Sequence, residues 1–281
     1  MAGVEGRVVV VTGAGGGLGR SHALMLAQNG AQVVVNDLGA SLDGQGAERR
    51  AADDVVAEIV AAGGEAVANH DDVATPEGGT AIVEHALESF GRVDAVVNNA
   101  GILRDRSFHK MTGEEWDAVL KVHLYGAFNV THAAMPHFRE QEYGRIVVTT
   151  SVTGLYGNFG QANYGAAKLG LVGLVNTLAI EGRQRNILAN AVSPLARTRM
   201  SVDILDEEFD PAFASVVVVY LAGEECRVSG EIIHAAAGRY TRVRYAESRG
   251  VEFAEVPTVD ALSSRFDEVL DMTNAEVRTE S

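Results

Sequence analysis

Cysteine occurs once in the 281 residues, at Cys226, which excludes an internal disulfide and any cysteine-rich metal centre; no metal site is expected. Lysine is nearly as scarce, confined to Lys110, Lys121 and Lys168. No apolar run approaches the roughly 20 residues needed to cross a bilayer. Met1-Ala2-Gly3-Val4-Glu5-Gly6 lacks a signal-peptide pattern, and Thr279-Glu280-Ser281 is not a peroxisomal address, so the expected compartment is cytoplasmic. Basic charge is also short: 23 Lys and Arg against 38 Asp and Glu give −15, which argues against nucleic acid or an anionic membrane as partner. An anionic substrate would therefore need local positive charge. Arg104 with Arg106 is one candidate and Arg239, Arg242, Arg244 and Arg249 another; a solvated or salt-bridged face is the competing reading for both.

What is present in abundance is alternation. Val8-Val9-Val10-Val11 suits a buried parallel strand and runs into Thr12-Gly13-Ala14-Gly15-Gly16-Gly17-Leu18-Gly19, after which His22 to Ala27 reads as helix. Strand, glycine turn and helix form the layout in which backbone N–H groups and a helix N-terminus hold a pyrophosphate. The spacing is TGxxxGxG rather than GxGxxG. A second strand, Gln32 to Asn36, ends in Asp37, where an acid accepts hydrogen bonds from the ribose hydroxyls of an adenine dinucleotide. The same carboxylate repels a 2′-phosphate: like charges about 4 Å apart at an effective dielectric near 20 cost roughly 4 kcal/mol, or about a thousandfold in affinity. Leu38 and Gly39 supply no compensating arginine, so the expected cofactor is NAD.

The remaining elements are expected as follows: a helix from about 48 to 61 after a glycine-rich loop; a strand at 65–68 that leads to Asp72-Val73; a helix from Pro76 to Phe90; a strand at 93–97 that leaves through Asn98-Asn99-Ala100-Gly101; one helix from Gly113 towards Phe138; strands at 144–150, 187–193 and 231–235; and a helix at 214–222. This predicts a single α/β, Rossmann-type, doubly wound parallel sheet of about seven strands with helices on both faces, and a site at the strands' carboxyl ends. Residues 1–238 form the expected dinucleotide-binding and catalytic domain. Residues 239–281 form a C-terminal extension in which Val259, Leu262, Phe266, Val269 and Leu270 are spaced for one amphipathic helix.

Tyr164-Gly165-Ala166-Ala167-Lys168 places a phenol and an ammonium one helical turn apart, with Ser151 thirteen residues upstream at the end of an apolar strand. An ammonium beside a phenol favours the phenolate, so the Tyr164 pKa is expected to fall from about 10 and to suit proton exchange with an alcohol or ketone. Tyr/Lys pairs at this spacing are common on solvated helices; the glycine turn at the start of the chain makes the catalytic reading the stronger.

Taken in order, the glycine turn, Asp37, Asn98-Asn99-Ala100-Gly101, Ser151, Tyr164 and Lys168 resemble the short-chain dehydrogenase/reductase family over residues 5 to about 238. The resemblance implies that Tyr164 is the general acid/base, that Ser151 binds and polarises the substrate oxygen, and that Lys168 binds the nicotinamide ribose. It also implies that Gly13, Gly17, Leu18 and Gly19 line the pyrophosphate, Asp37 and Leu38 the ribose, and Asp72-Val73 the adenine. Asn99 and Gly101 would flank the cofactor, and Ser193-Pro194 to Thr198 would cover the nicotinamide. Family members pair through helices corresponding to 116–138 and 164–181, which implies a homodimer or homotetramer.

A narrower resemblance, carried by Val35 to Gly39, Asn98 to Phe108 and Tyr156 to Tyr164, is to the dehydrogenase part of the type 2 peroxisomal multifunctional enzymes, also called 17β-hydroxysteroid dehydrogenases type 4. It implies NAD-dependent oxidation of (3R)-3-hydroxyacyl-CoA to 3-oxoacyl-CoA, including bulky or steroid acyl groups. A 17β-hydroxysteroid dehydrogenase acting on free steroids is the alternative, and a non-catalytic NAD-binding regulator a distant one. Two departures stand out. His123 occupies a position where the broad family often has Asn, which leaves a variant proton relay and a satisfied core histidine both open. The segment from Leu195 to Met200, leading into Asp206-Glu207-Glu208, is a short substrate lid that names no acyl chain.

Overall fold

The computed structural model describes residues 3–39, 50–197, 206 and 208–277. The chain divides into two compact units, Met1–Thr241 and Arg242–Ser281. In the first, strands and helices alternate: β1 (Val8–Thr12), α1 (Gly17–Gln28), β2 (Gln32–Asn36), α2 (Arg50–Ala61), β3 (Glu65–Asn69), α3 (Pro76–Phe90) and β4 (Ala95–Asn98). Then come α4 (Gly113–Leu120), α5 (Gly126–Glu140), β5 (Gly144–Thr149), α6 (Val152–Tyr156), α7 (Ala162–Gly182), β6 (Ile187–Leu195), α8 (Ala212–Ala222), β7 (Ile232–Ala236) and β8 (Arg239–Val243), the strand in which the division between units falls.

The sheet order is β3-β2-β1-β4-β5-β6-β7-β8, with parallel pairing from β3 through β7. The direction of winding reverses between β1 and β4, and that crevice is where an α/β sheet holds its ligand. Val8 to Val11, Val33 to Val35, Ala95 to Val97 and Ile146 to Val148 are wholly buried, which is why these strands read as unbroken apolar runs rather than alternating ones. The first five strands each end on a buried polar residue: Thr12, Asn36, Asn69, Asn98 and Thr149. These side chains bond to one another and to neighbouring elements, as in Asn36 Nδ2 to Asn69 Oδ1 at 2.8 Å and Asn98 Nδ2 to Thr131 Oγ1 of α5 at 2.9 Å. Apolar strand bodies drive the layer packing, and the polar ends fix one edge of the sheet for chemistry.

Four expectations change. The sheet has eight strands rather than about seven, because Ala237 and Gly238, both at positive φ, turn β7 straight back into β8. The single helix expected from Gly113 to Phe138 is interrupted by a π turn over Lys121–Tyr125, which separates α4 from α5. Arg145, inside a strand read as apolar, is only 1% exposed; its guanidinium donates to the carbonyls of Gly144, Asn186 and Gly223 and stacks on Tyr143, so the buried charge is matched. In the second unit the expected amphipathic helix is two short ones, α9 (Val259–Ser263) and α10 (Phe266–Leu270). Ser264 Oγ turns back to Ala261 O and Arg265 pairs with Glu268, which closes the first helix and opens the second. That unit also holds a two-stranded antiparallel pair, β9 (Ala246–Glu247) with β10 (Glu276–Val277), and the exposed pair Arg249–Glu276 at 3.7 Å.

Candidate active site

At the strands' carboxyl ends lies a cavity of about 540 Å³. One wall is the glycine turn. Gly13 has φ +64, and a Cβ there would stand 2.7 Å from Ala100 Cα, so the turn and the exit of β4 meet backbone to backbone. Thr12 Oγ1 accepts from the N–H groups of Asn99 and Ala100, both at 3.1 Å, and Asn99 Nδ2 donates to Thr12 O and Gly13 O at 3.1 and 3.2 Å. Gly16 precedes α1 without a side-chain cap, and no acidic residue occupies the first turn of that helix, which leaves its N–H groups for an anion. Gly16, Gly17 and Leu18 line the cavity there. An uncapped helix start behind side-chain-free backbone fits the pyrophosphate of a dinucleotide.

Asp37, Leu38, Asp72 and Val73 continue that wall, joined by Asp71. Asp37 accepts from Gly15 N at 2.8 Å and from Gly39 N at 2.7 Å, which fixes its carboxylate at the end of β2. Gly19 departs from the expected placement. It is absent from the cavity wall and sits beneath it, where its missing side chain lets α1 close on Gly13 O, with an added Cβ also 2.6 Å from Asn99 Nδ2. Thr198, Arg199 and Met200, with most of the expected lid, lie outside the described residues.

The same cavity is lined by Ser151, Tyr164 and Lys168, together with Asn99 and Gly101. Ser151 caps α6, accepting from Thr153 N at 3.1 Å, so its hydroxyl is held directly after β5. Tyr164 and Lys168 lie one turn apart on α7. Lys168 is 3% exposed; its Nζ donates to Thr149 O at 2.6 Å and sits 5.5 Å from the Tyr164 ring centroid. Thr150 Oγ1 donates to Lys168 O at 2.7 Å, which ties α7 to β5.

The expected electrostatics of this pair are reversed. Burial holds the Tyr164 phenol above its ordinary pKa; a hydrogen bond with Ser151 pulls it down, and Asp105 pushes it further up. Burial likewise brings the Lys168 ammonium down to about 7, so the nearby charge that should stabilise a phenolate is itself only partly present at neutral pH. The spacing sets the two groups one helical turn apart, as they are on α7, but carries no information on their desolvation.

His123, in the π turn, meets the Tyr164 ring edge-on at 5.2 Å. Its Nε2 reaches Ile102 N at 3.1 Å and Ile102 O at 2.9 Å, accepting in one tautomer and donating in the other, while Nδ1 is buried without a partner among the described residues. Burial, then the nearby Lys168, holds its pKa well below the ordinary histidine value, so the ring is neutral. Any side chain at Gly101 would collide with that ring. The sequence motifs name no role for Asn163. This wholly buried residue donates to Arg104 O and Glu115 O at 3.1 and 3.0 Å and accepts from Tyr164 N at 2.8 Å, seating the start of α7 on two other segments. Its signal was slight: a polar side chain directly before Tyr164.

Comparison with known proteins places this geometry. A family model described as short chain dehydrogenase matches residues 7–208. A short-chain type dehydrogenase/reductase of Mycobacterium tuberculosis is 56% identical over 99% of this chain and 98% of its own length. The peroxisomal multifunctional enzyme type 2 of Mus musculus is 49% identical over 96% of this chain, which spans 37% of that enzyme. A hydroxyacyl-CoA dehydrogenase of Mycobacterium tuberculosis is 44% identical over 72% of this chain and 64% of its own length. The crystal structure of a short chain dehydrogenase from Mycobacterium avium superposes with a TM-score of 0.86 at 40% identity, covering 95% of this chain and 96% of that one.

Proposed function

The chain belongs to the short chain dehydrogenase family and is an oxidoreductase acting on CH–OH groups; from that premise we propose that it oxidises (3R)-3-hydroxyacyl-CoA to 3-oxoacyl-CoA, with NAD as cofactor. The observation that carries the reading is the convergence of Ser151, Tyr164 and Lys168, from two separate elements, on one cavity whose other wall is the glycine turn and Asp37. The acyl-CoA part is supported by similarity to a protein named for that activity.

The N–H groups at the start of α1 would hold the pyrophosphate, Asp37 the adenosine ribose, Asp72 and Val73 the adenine, and Asn99, Gly101, Tyr164, Lys168 and Thr198 the nicotinamide half. NAD bound there would supply the hydride acceptor for the carbinol carbon. Ser151 Oγ hydrogen-bonds the substrate oxygen and orients it towards Tyr164. Tyr164 Oη removes the hydroxyl proton, and returns it when the reaction runs towards the alcohol. Lys168 is held beside Tyr164 by Thr149 O, where its protonated form would stabilise the phenolate as it forms. His123 keeps the Tyr164 ring and the Ile102 backbone in place without charge of its own.

The test is NADH formation with (3R)- and (3S)-3-hydroxyacyl-CoA esters of several lengths and with free 17β-hydroxysteroids. Selective turnover of the (3R) esters is expected; turnover of free steroids alone would install the hydroxysteroid reading instead. Cofactor choice has its own test. Asp37→Ser is expected to recover much of the about thousandfold penalty against NADP, read as kcat/KM with each dinucleotide. An unchanged preference would remove Asp37 from that role.

Assembly as a homodimer or homotetramer and a cytoplasmic location complete the proposal. Pairing through α5 and α7 is supported by the exposed Phe128, Leu169 and Ile180 on these helices, with Tyr125 at the end of the preceding π turn. No helix among the described residues is long and apolar enough to cross a membrane.

A further inference from the structure

Away from the glycine turn, the cavity wall is largely apolar: Ile102, Leu103, Ala118, Val122 and Val152. Two of its polar side chains are already engaged. Thr153 Oγ1 donates to Gln161 Oε1 at 3.1 Å, and Gln161 Nε2 donates to Asp105 at 2.8 Å. Arg104 and Lys121 also line this wall, and neither has an ion pair or side-chain hydrogen bond among the described residues. Arg104 is half-buried, and its Nε is buried without a partner. Its neighbour Arg106 is differently placed: its Nε donates to Glu115 Oε1 at 2.6 Å, and Glu115 in turn closes the start of α4 through Thr112 N.

Arg104 Nε is enclosed, so the terminal N–H groups of its guanidinium, which have no partner among the described residues, are the ones a ligand in the cavity can meet. The side chain stands on a fixed base. Asn163 holds Arg104 O, and Arg106 N donates to Gly160 O at 2.8 Å, so the backbone on both sides of the side chain is tied to the Tyr164 segment. The carboxylates Asp37, Asp71 and Asp72 line the cofactor wall, whereas Arg104 and Lys121 are cations lining the substrate wall, with Asp105 behind it bound to Gln161. A guanidinium matches the geometry of a phosphate, and a lysine adds charge without fixed direction.

We propose that Arg104, with Lys121 on the same wall, anchors a phosphate carried by the thioester handle of the substrate; the inference rests on the acyl-thioester reading above. CoA esters and acyl-carrier-protein esters share this chemistry through phosphopantetheine, and the apolar residues between Arg104 and Ser151 would receive the rest of the arm.

The experiment uses the full chain with NAD and one (3R)-3-hydroxyacyl group on three handles: CoA, acyl carrier protein, and pantetheine, which lacks phosphate. Arg104→Gln is expected to raise KM for the CoA ester about tenfold with kcat little changed, so that the preference for CoA over pantetheine collapses. Arg104→Lys recovers part of that preference, and Arg106→Gln keeps it. A parallel loss on the acyl-carrier-protein ester assigns the contact to the shared phosphate; loss confined to the CoA ester assigns it to the nucleotide phosphates, and either supports the anchor. An equal rise in KM for the CoA and pantetheine esters, or none for CoA, overturns the anchor and leaves the thioester reading intact. Turnover of free steroids without any thioester overturns both.

Discussion

Tyr164→Phe is expected to lower kcat about a thousandfold, within the range that a positioned acid/base contributes, while NAD affinity measured by isothermal titration stays close to that of the parent. The variant removes one oxygen from a ring that is otherwise held by packing: His123 edge-on, Lys168 5.5 Å from its centroid, and the start of α7 seated by Asn163. The ring should therefore keep its place, and the loss should report proton transfer alone. The pH profile gives a second readout. Burial keeps the phenol above its ordinary pKa in the protein alone, so alcohol oxidation, which needs the phenolate, should accelerate as pH rises. That alkaline rise should vanish in Tyr164→Phe. Retention of near-parental kcat, or of the rise, would assign the base elsewhere.

Gly19→Ala should produce the second large effect: NAD affinity weaker by about a hundredfold and unfolding stability lower by about 3 kcal/mol, the upper part of the usual range for overpacking. The new methyl would fall on Gly13 O and stand 2.6 Å from Asn99 Nδ2. Neither can yield cheaply. Gly13 is at positive φ with its own Cβ position closed off by Ala100, and Asn99 Nδ2 already bridges Thr12 O and Gly13 O. The turn would have to move, and the N–H groups proposed to hold the pyrophosphate would move with it. Gly113→Ala is the matched control, since its added methyl meets nothing within 4 Å. Titration with NAD and urea unfolding of the two variants separate these outcomes; equal behaviour would show that the turn is softer than its contacts imply.

The elements that the sequence misjudged share a cause. Arg145 lies in a strand read as apolar, and its charge is buried because Asn186 and Gly223, distant in the chain, join the neighbouring Tyr143 around it. The π turn at Lys121–Tyr125 leaves no periodic trace over so few residues, although it carries both His123 and Lys121. Arg104 and Arg106 are two residues apart and chemically identical; only the fold gives one to Glu115 and leaves the other on the cavity wall.

By itself the sequence determined the strand–helix alternation, the crevice at the strands' carboxyl ends, and the positions of Asp37, Ser151, Tyr164 and Lys168, because hydrophobic runs, glycine spacing and helical periodicity act over a few residues. The tertiary structure decided what those groups experience: the raised phenol, the ammonium near 7, the neutral His123, Gly19 beneath the wall rather than on it, and the unmatched guanidinium of Arg104. Each depends on how much water and which partners remain around a side chain, and these are set by residues distant in the chain that meet only when the sheet and its helices pack.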